Sequence, residues 1–321
     1  MNAKHIGLFL LPGLLWSASV SSVDLKSHDN RVDVSIDGQP FTTYYVLPDV
    51  AKPYMMPLRT ASGVVVTRGF PVENDASAGN PKASSFEPHQ RPLYWGHGNI
   101  DGLDFWQEQV FDHYYTDHQN QAYGHAKLLS IKAEGESITA DFSLRDQSER
   151  EIGRERQSFH FGGKGQIRTL DCEFTLIATA GPLVFGDTKE GSFGIRLADD
   201  LSGSRANMTN SQGAHGEKDI WGKPAEWVSY QGEIGGRPAT VSVFDHPSSF
   251  RHPTTWHARA YGLLAANPFG WREFSRDANK DGSWTVEGGE KITFKYRVLI
   301  ADGKQPAQEL AKAYSEYSAT K

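Results

Sequence analysis

From residue 31 to residue 300 the chain consists of short segments in which apolar and polar residues alternate, and this period-two pattern most restricts the fold. Alternation sends successive side chains to opposite faces of a pleated strand, so one face can be buried while the other stays wet. The clearest segments cover residues 31–36, 41–46, 63–67, 137–145, 157–161, 166–178, 191–197, 226–234, 237–244, 261–266 and 291–300. Turn-forming pairs punctuate them: Asp37-Gly38, Gly162-Gly163, Gly235-Gly236, Asp281-Gly282 and Gly288-Gly289. Hairpins are expected across Asp37-Gly38 and Gly235-Gly236, where neighbouring segments nearly touch. Such spacing predicts an all-β fold, a large antiparallel β-sandwich, rather than βαβ units. One short C-terminal helix is expected from Pro306 in its first turn and from Leu310, Tyr314 and Tyr317 at helical spacing.

The alternation also disposes of the single cysteine. Leu170, Cys172, Phe174, Leu176 and Ala178 share one side of a strand, and Asp171, Glu173 and Thr175 the other. A thiol buried among aliphatics is inert, and one cysteine cannot form an internal disulfide.

The N-terminus reads as an export leader over residues 1–22. Lys4 precedes an apolar run over residues 6–16, followed by Ser17, Ala18, Ser19, Val20, Ser21 and Ser22. The run is shorter than the roughly 20 apolar residues a membrane span needs. A mature chain of about 300 residues then forms one β-sandwich domain, residues 23–321, in the periplasm or outside the cell. The formal net charge of −6 and the lack of any basic block argue against nucleic acid as a partner.

Four segments concentrate groups that surfaces rarely carry together. They are His89-Gln90-Arg91-Pro92-Leu93-Tyr94-Trp95-Gly96-His97-Gly98-Asn99, His215-Gly216-Glu217-Lys218-Asp219-Ile220-Trp221, residues 245–257, and Asn267-Pro268-Phe269-Gly270-Trp271. A long loop, residues 71–92, leads into the first and is expected to reach across the site. In the third, His246 and His252 each precede a proline, which favours extended backbone and a preorganised loop. Imidazole titrates near neutrality and can act as acid or base. His215 and Glu217 are two apart, so on a strand they would face one ligand together. Trp95, Trp221, Trp256 and Trp271 offer flat apolar faces with one donor each, which suits the C–H faces of sugars.

The expected catalytic set is His97, His215, Glu217, His246, His252 and His257, converging on one concave surface from separated segments. Trp95, Asn99, Asp219, Trp221, Arg251 and Trp256 are the expected substrate-binding residues, with Arg251 holding an anionic or hydroxyl group. No cofactor signature is present. A divalent metal is left open by the His/carboxylate chemistry, although no compact motif such as His-Glu-x-x-His occurs. Asp277-Ala278-Asn279-Lys280-Asp281-Gly282 begins like a calcium loop but has Gly288 where the bidentate glutamate would stand, which favours a β-turn.

Several stretches resemble a family of secreted bacterial proteins known as methane oxygenase PmoA-like. They are Pro57-Leu58-Arg59-Thr60, Arg91-Pro92-Leu93-Tyr94-Trp95-Gly96-His97-Gly98, Gly216-Glu217-Lys218-Asp219-Ile220-Trp221-Gly222, Asp245-His246-Pro247, Arg251-His252-Pro253-Thr254-Thr255-Trp256-His257 and residues 263–270. The resemblance spans about residues 32–300. It implies a fold similar to the galactose-mutarotase-like supersandwich and an association with bacterial carbohydrate use. Methane oxidation itself is set aside, because a particulate methane oxygenase subunit is a membrane protein and no stretch here can span.

The expected function is a carbohydrate-active enzyme acting on a sugar or glycoside by His/Glu acid–base chemistry, whether epimerisation, elimination or hydrolysis. A non-catalytic carbohydrate-binding or cell-surface accessory protein is the alternative, which would need the tryptophans but no tuned histidines.

Overall fold

The structure, a computed structural model, describes residues 21–69, 87–114 and 121–320, with only the backbone described at 113 and 114. The leader therefore lies almost wholly outside the described residues, as does most of the long loop. In chain order the first strands are β1 (Val23–His28), β2 (Arg31–Ile36), β3 (Gln39–Tyr45), β4 (Tyr54–Met56), β5 (Leu93–His97) and β6 (His125–Glu134). Next come β7 (Ser137–Arg145), β8 (Glu151–Lys164), β9 (Ile167–Ile177), β10 (Leu183–Phe185), β11 (Gly191–Arg196) and β12 (Asn207–Asn210). Helix α1 (Gly216–Ile220) precedes β13 (Trp227–Ile234), β14 (Arg237–Asp245), β15 (Trp256–Ala258) and β16 (Leu263–Ala266). Helix α2 (Trp271–Ser275), β17 (Trp284–Val286), β18 (Lys291–Asp302) and α3 (Ala307–Ser318) complete the chain.

The strands form two eight-stranded sheets. One has the order β1-β2-β3-β4-β5-β11-β16-β15, the other β12-β13-β14-β18-β9-β8-β7-β6, and β10 pairs with β17 beside them. Neighbouring strands in both sheets run antiparallel, as in β5–β11 and β9–β18. The large antiparallel β-sandwich expected from the alternation is thus the observed architecture, with the short helix α3 at the C-terminal end.

Local chemistry accounts for the joins. Asp37 and Gly38 both take positive φ, 54° and 73°, as a two-residue turn between β2 and β3 demands. Gly162-Gly163, expected as a turn, instead continues β8, and the reversal falls at Gly165. Residues 63–67 make only isolated bridges, Arg59 to Val65 and Thr67 to Leu197.

The core lies between the large sheets. Its central row on the first sheet is Trp95–Phe193–Ala266–Trp256, neighbours in register across β5, β11, β16 and β15. Against it Trp95 stacks on Phe174 at 6.2 Å and Phe193 on Tyr296 at 4.9 Å. Burying such a side chain is worth roughly 1.5–3 kcal/mol, so this row supplies much of the force holding the sheets together. Cys172 is buried, as its place in the alternation predicts. Helix α3 covers the other side of the second sheet, seating Leu310 and Tyr317 against Trp227, Phe244 and Leu299.

Candidate active site

The strand pleat decides which of the unusual residues can meet a ligand. One residue along from the core row, Tyr54, Tyr94, Gly194, Ala265 and His257 pair in register across β4, β5, β11, β16 and β15. These side chains point away from the second sheet, where Tyr54, Met56, Tyr94, Trp106, Leu263 and Ala265 form a separate packed layer.

Charged groups are threaded through that layer. Arg91 grips Glu108 with two hydrogen bonds of 2.7 Å, and the Lys52 ammonium stands 3.4 Å from the same carboxylate. All three side chains are buried. Burial works to raise the Glu108 pKa, but Lys52 and Arg91 outweigh it and hold it at about 2. Burial drives Lys52 down to about 8, with Glu108 opposing. Asp104 goes the other way, pushed by burial to about 6 although the Trp106 and Gln107 N–H groups donate to it at 2.7 and 2.8 Å. Each cation also lies on a tyrosine: Arg91 on Tyr54 at 4.5 Å, Lys52 on Tyr94 at 4.8 Å, and Arg196 on Tyr261 at 4.5 Å. Gln90 joins the last pair, accepting from Arg196 at 3.1 Å and donating to the Tyr261 hydroxyl at 3.1 Å.

Beside this layer a buried imidazole and a carboxylate feel each other's charge. His257 is buried, and its Nδ1 donates to the Lys189 carbonyl at 2.9 Å. A carbonyl only accepts, so the proton is on Nδ1 and Nε2 presents a lone pair. That Nε2 has no hydrogen-bond partner among the described residues. Burial holds the ring below its ordinary pKa, and the nearby Glu190 charge pulls partly the other way. Glu190 is partly exposed, and its carboxylate pairs with the Lys189 ammonium at 2.8 Å. Burial tends to raise its pKa, while His257, Lys189 and Arg259 outweigh that and keep it ionised. Gly98 makes room for it: a Cβ there would lie 2.9 Å from the Glu190 Cβ.

Tyr94 completes the group. Burial and then the Glu190 charge raise its pKa well above the usual tyrosine value, so the hydroxyl stays a donor. It too lacks a partner among the described residues, as do the indole N–H groups of Trp106 and Trp221. A buried polar group left unpaired costs about 1–3 kcal/mol. Several such groups lie close together on this side of the first sheet.

The structure brings only some of the expected residues to this face. His257 and Trp221 are there, their rings 6.4 Å apart and edge to face. Glu217 stands alongside, accepting from the Arg259 Nε at 2.8 Å and the Ala260 N–H at 2.6 Å. Residues 216–220 form α1 rather than a strand, so His215 and Asp219 do not share a side with Glu217 and both are exposed. Within the first segment Leu93–His97 form the strand β5. Its pleat turns Trp95 into the core, and His97 lies buried against Phe269 and Phe185 at 4.7 and 5.9 Å. Burial takes the His97 pKa down to about 4, despite a 2.8 Å contact from its Nε2 to the Gly186 carbonyl. Trp256 is core, its indole donating to the Ala225 carbonyl at 2.9 Å. Asn99 accepts from the Gly102 N–H in a turn.

The remaining three, His246, His252 and Arg251, make their hydrogen bonds elsewhere. His246 is buried at the C-terminal end of α3, its Nε2 3.2 Å from the Thr320 carbonyl and its ring edge-on to Tyr317. His252 is held by Asp245 through Nδ1 at 2.9 Å. Arg251 donates to the carbonyls of Pro268, Gly282 and Ser283. One surface carrying all six expected catalytic residues therefore does not form, because His246 lies with α3 on the outer side of the second sheet. Among the described residues no three His, Cys, Asp or Glu side chains are grouped to hold a metal, and residues 277–280 form an exposed turn.

Sequence reasoning missed Glu190, Lys52, Asp104, Glu108, Arg196 and Arg259. One signal was available for Arg196: the alternation Phe193-Gly194-Ile195-Arg196 puts it on the face of Gly194, opposite the core residues. Glu190 and Glu108 carry no such signal.

The family of unknown function DUF6807 matches residues 31–315. The chain belongs to that family. The methane-oxygenase-like label of the sequence resemblance finds no support among the matches, and no curated protein matches this DUF6807 chain. Among solved structures it is similar to a galactose mutarotase-like protein from Clostridium acetobutylicum, at 8% identity and a TM-score of 0.37 over 88% of this chain and 99% of that one. It is also similar to a GH36 α-galactosidase from Geobacillus stearothermophilus, at 11% identity and a TM-score of 0.40 over 92% of this chain and 42% of that one. A protein from Synechocystis gives 9% identity and a TM-score of 0.35 over 94% of this chain and 100% of that one.

Proposed function

We propose that this DUF6807 protein is an exported carbohydrate-active enzyme in which Glu190 and His257 form the acid–base pair. The observation that carries the reading is the buried His257 Nε2 that has no hydrogen-bond partner among the described residues, with the Glu190 carboxylate close enough for its charge to act on the ring. A neutral imidazole accepts a proton, a carboxylate beside it stabilises the imidazolium that forms, and the Tyr94 hydroxyl is placed to donate. Epimerisation, elimination and hydrolysis of a sugar or glycoside all draw on such groups. The residue types gathered here support the sugar reading: tyrosine and tryptophan rings suit C–H faces, and O–H and N–H donors without partners among the described residues suit hydroxyls. Glu217 acts one step removed by orienting Arg259. The leader read over residues 1–22 puts the chemistry in the periplasm or outside the cell.

The test uses purified mature protein against a panel of monosaccharides, disaccharides and 4-nitrophenyl glycosides, following binding by saturation-transfer NMR and conversion by proton NMR. At least one sugar should bind and be converted, and Glu190→Gln and His257→Asn should each abolish conversion. Binding without conversion, unaffected by either substitution, supports the accessory-protein reading instead. Conversion that survives both substitutions overturns the assignment of the pair.

A further inference from the structure

Away from the sheet face, Trp271 and Trp284 are the two large aromatic residues most open to solvent among the described ones, 38% and 45% exposed. Exposing an indole forgoes a large burial gain, so two of them together call for a reason. Both are fixed in place. The Arg251 guanidinium lies 4.3 Å from the Trp271 ring and 5.4 Å from the Trp284 ring. Its N–H groups donate to the Pro268, Gly282 and Ser283 carbonyls, so the guanidinium is held on its edges and lends its faces to the rings. Phe250 packs against Trp284 at 5.3 Å. A hollow of about 430 Å³ opens beside Trp271, and Thr255, Ser275, Lys280 and Asp281 bring hydroxyl, ammonium and carboxylate groups to it.

We infer that Trp271 and Trp284 form a second saccharide-binding platform, which takes a sugar unit of an oligosaccharide or polysaccharide chain. This rests on the saccharide part of the reading above, and not on the acid–base pair. The exposed parts of two indoles amount to on the order of 150 Å², from roughly 150–250 Å² per aromatic side chain. That is far below the roughly 800 Å² a protein partner needs on each side, yet enough for the face of one sugar ring. Rigid indoles with a polar rim lose little entropy when they stack on such a face. The platform also lies next to the site. Phe274 lines the same hollow, packs edge-on against Trp221 at 5.2 Å and stands 6.1 Å from His257. Helix α2 is tied to the same strand end through Glu273, which accepts the Lys189 N–H at 2.6 Å. A chain seated on Trp271 is thus one aromatic ring, Phe274, away from Trp221 and His257.

The experiment is native affinity electrophoresis of the mature protein in gels containing xylan, laminarin, glucomannan, arabinogalactan or pectin. At least one polysaccharide should retard the wild type, and the combined Trp271→Ala/Trp284→Ala variant should lose tenfold or more in apparent affinity. Trp271→Phe/Trp284→Phe should keep most of the retardation, and His257→Asn all of it. Thermal melting establishes that the alanine variant is folded, and if it is not, Trp284→Gln alone should still weaken retardation. The inference is overturned if none of the five polysaccharides retards the wild type, or if the alanine variant is retarded equally. It is also overturned if His257→Asn, but not the tryptophan variants, abolishes retardation. Failure here leaves the small-sugar conversion test untouched, so the two readings fall separately.

Discussion

His257 Nδ1 lies 2.9 Å from the Lys189 carbonyl oxygen, and this one bond decides the proton position on the ring. Lys189 is itself fixed: its N–H donates to Glu273, and its ammonium bridges Glu190 and Glu273 at 2.8 and 3.2 Å. The residue that orients the base therefore also pairs with the neighbouring carboxylate. Lys189 thus ties the His257 ring and the Glu190 carboxylate to one residue.

The first prediction separates catalysis from binding. On a converted sugar, His257→Asn should lower kcat by about 10²–10⁴ and leave KM within a few-fold. Asparagine can still donate to the Lys189 carbonyl, so the variant should fold. A rise in KM with unchanged kcat would assign His257 to binding alone.

Two carboxylates make a contrast in stability. Glu108→Gln strands the buried Arg91 and Lys52 charges, and should cost about 3–5 kcal/mol in urea unfolding. Glu217→Gln touches a pair whose side chains are about one-third exposed, and should cost about 0–1 kcal/mol. Equal losses would show that burial does not govern these ion pairs.

Two buried groups set opposite pH windows. His97 has its pKa lowered to about 4 in the folded chain. Its contribution is complete above the ordinary value of 6.5 and is lost as pH falls towards 4, because only the unfolded chain takes up the proton. Glu155, buried with only the Gln157 amide donating to it, is raised to about 8. Its contribution is complete below 4.5 and is lost as pH rises towards 8, since the unfolded chain ionises first. Glu155→Gln should therefore stabilise the protein at pH 8 relative to wild type and have little effect at pH 4.5. Urea midpoints at both values check this, and a gain confined to low pH would reverse the assignment.

Export is tested at the N-terminus. Mass spectrometry of protein recovered from the native host should find a mature N-terminus within residues 17–24. Intact Met1 in that fraction would contradict the leader.

Legibility followed the range of the interactions. Local rules delivered β2 and β7 to the residue, the Asp37-Gly38 and Gly235-Gly236 hairpins, the inward Cys172 and the C-terminal helix. They did not find the strand at Leu93-Tyr94-Trp95-Gly96-His97, where His, Trp and Gly drew attention to chemistry although the segment lies in the middle of a sheet. Read as a strand, it would have sent Trp95 and His97 one way and Tyr94 the other. His215 and Glu217 have the spacing of one strand face, but a helical turn forms there and separates them. His257 was legible as unusual chemistry, but Glu190 was not. Glu190 sits 67 positions earlier in the chain, and only the pairing of β11, β16 and β15 brings the two together. Lys52 and Glu108 look like ordinary surface charges until the fold buries them.

The most direct test of the acid–base pair is nitrogen-15 NMR of labelled histidine in the wild-type protein, resolved by comparison with His257→Asn. The His257 signal should show the Nδ1-protonated neutral tautomer and a pKa below the ordinary 6.5, and its Nε2 shift should move when a converted sugar is added. A ring protonated on Nε2, a pKa above 6.5, or an Nε2 shift indifferent to the sugar would contradict the proposed role of His257.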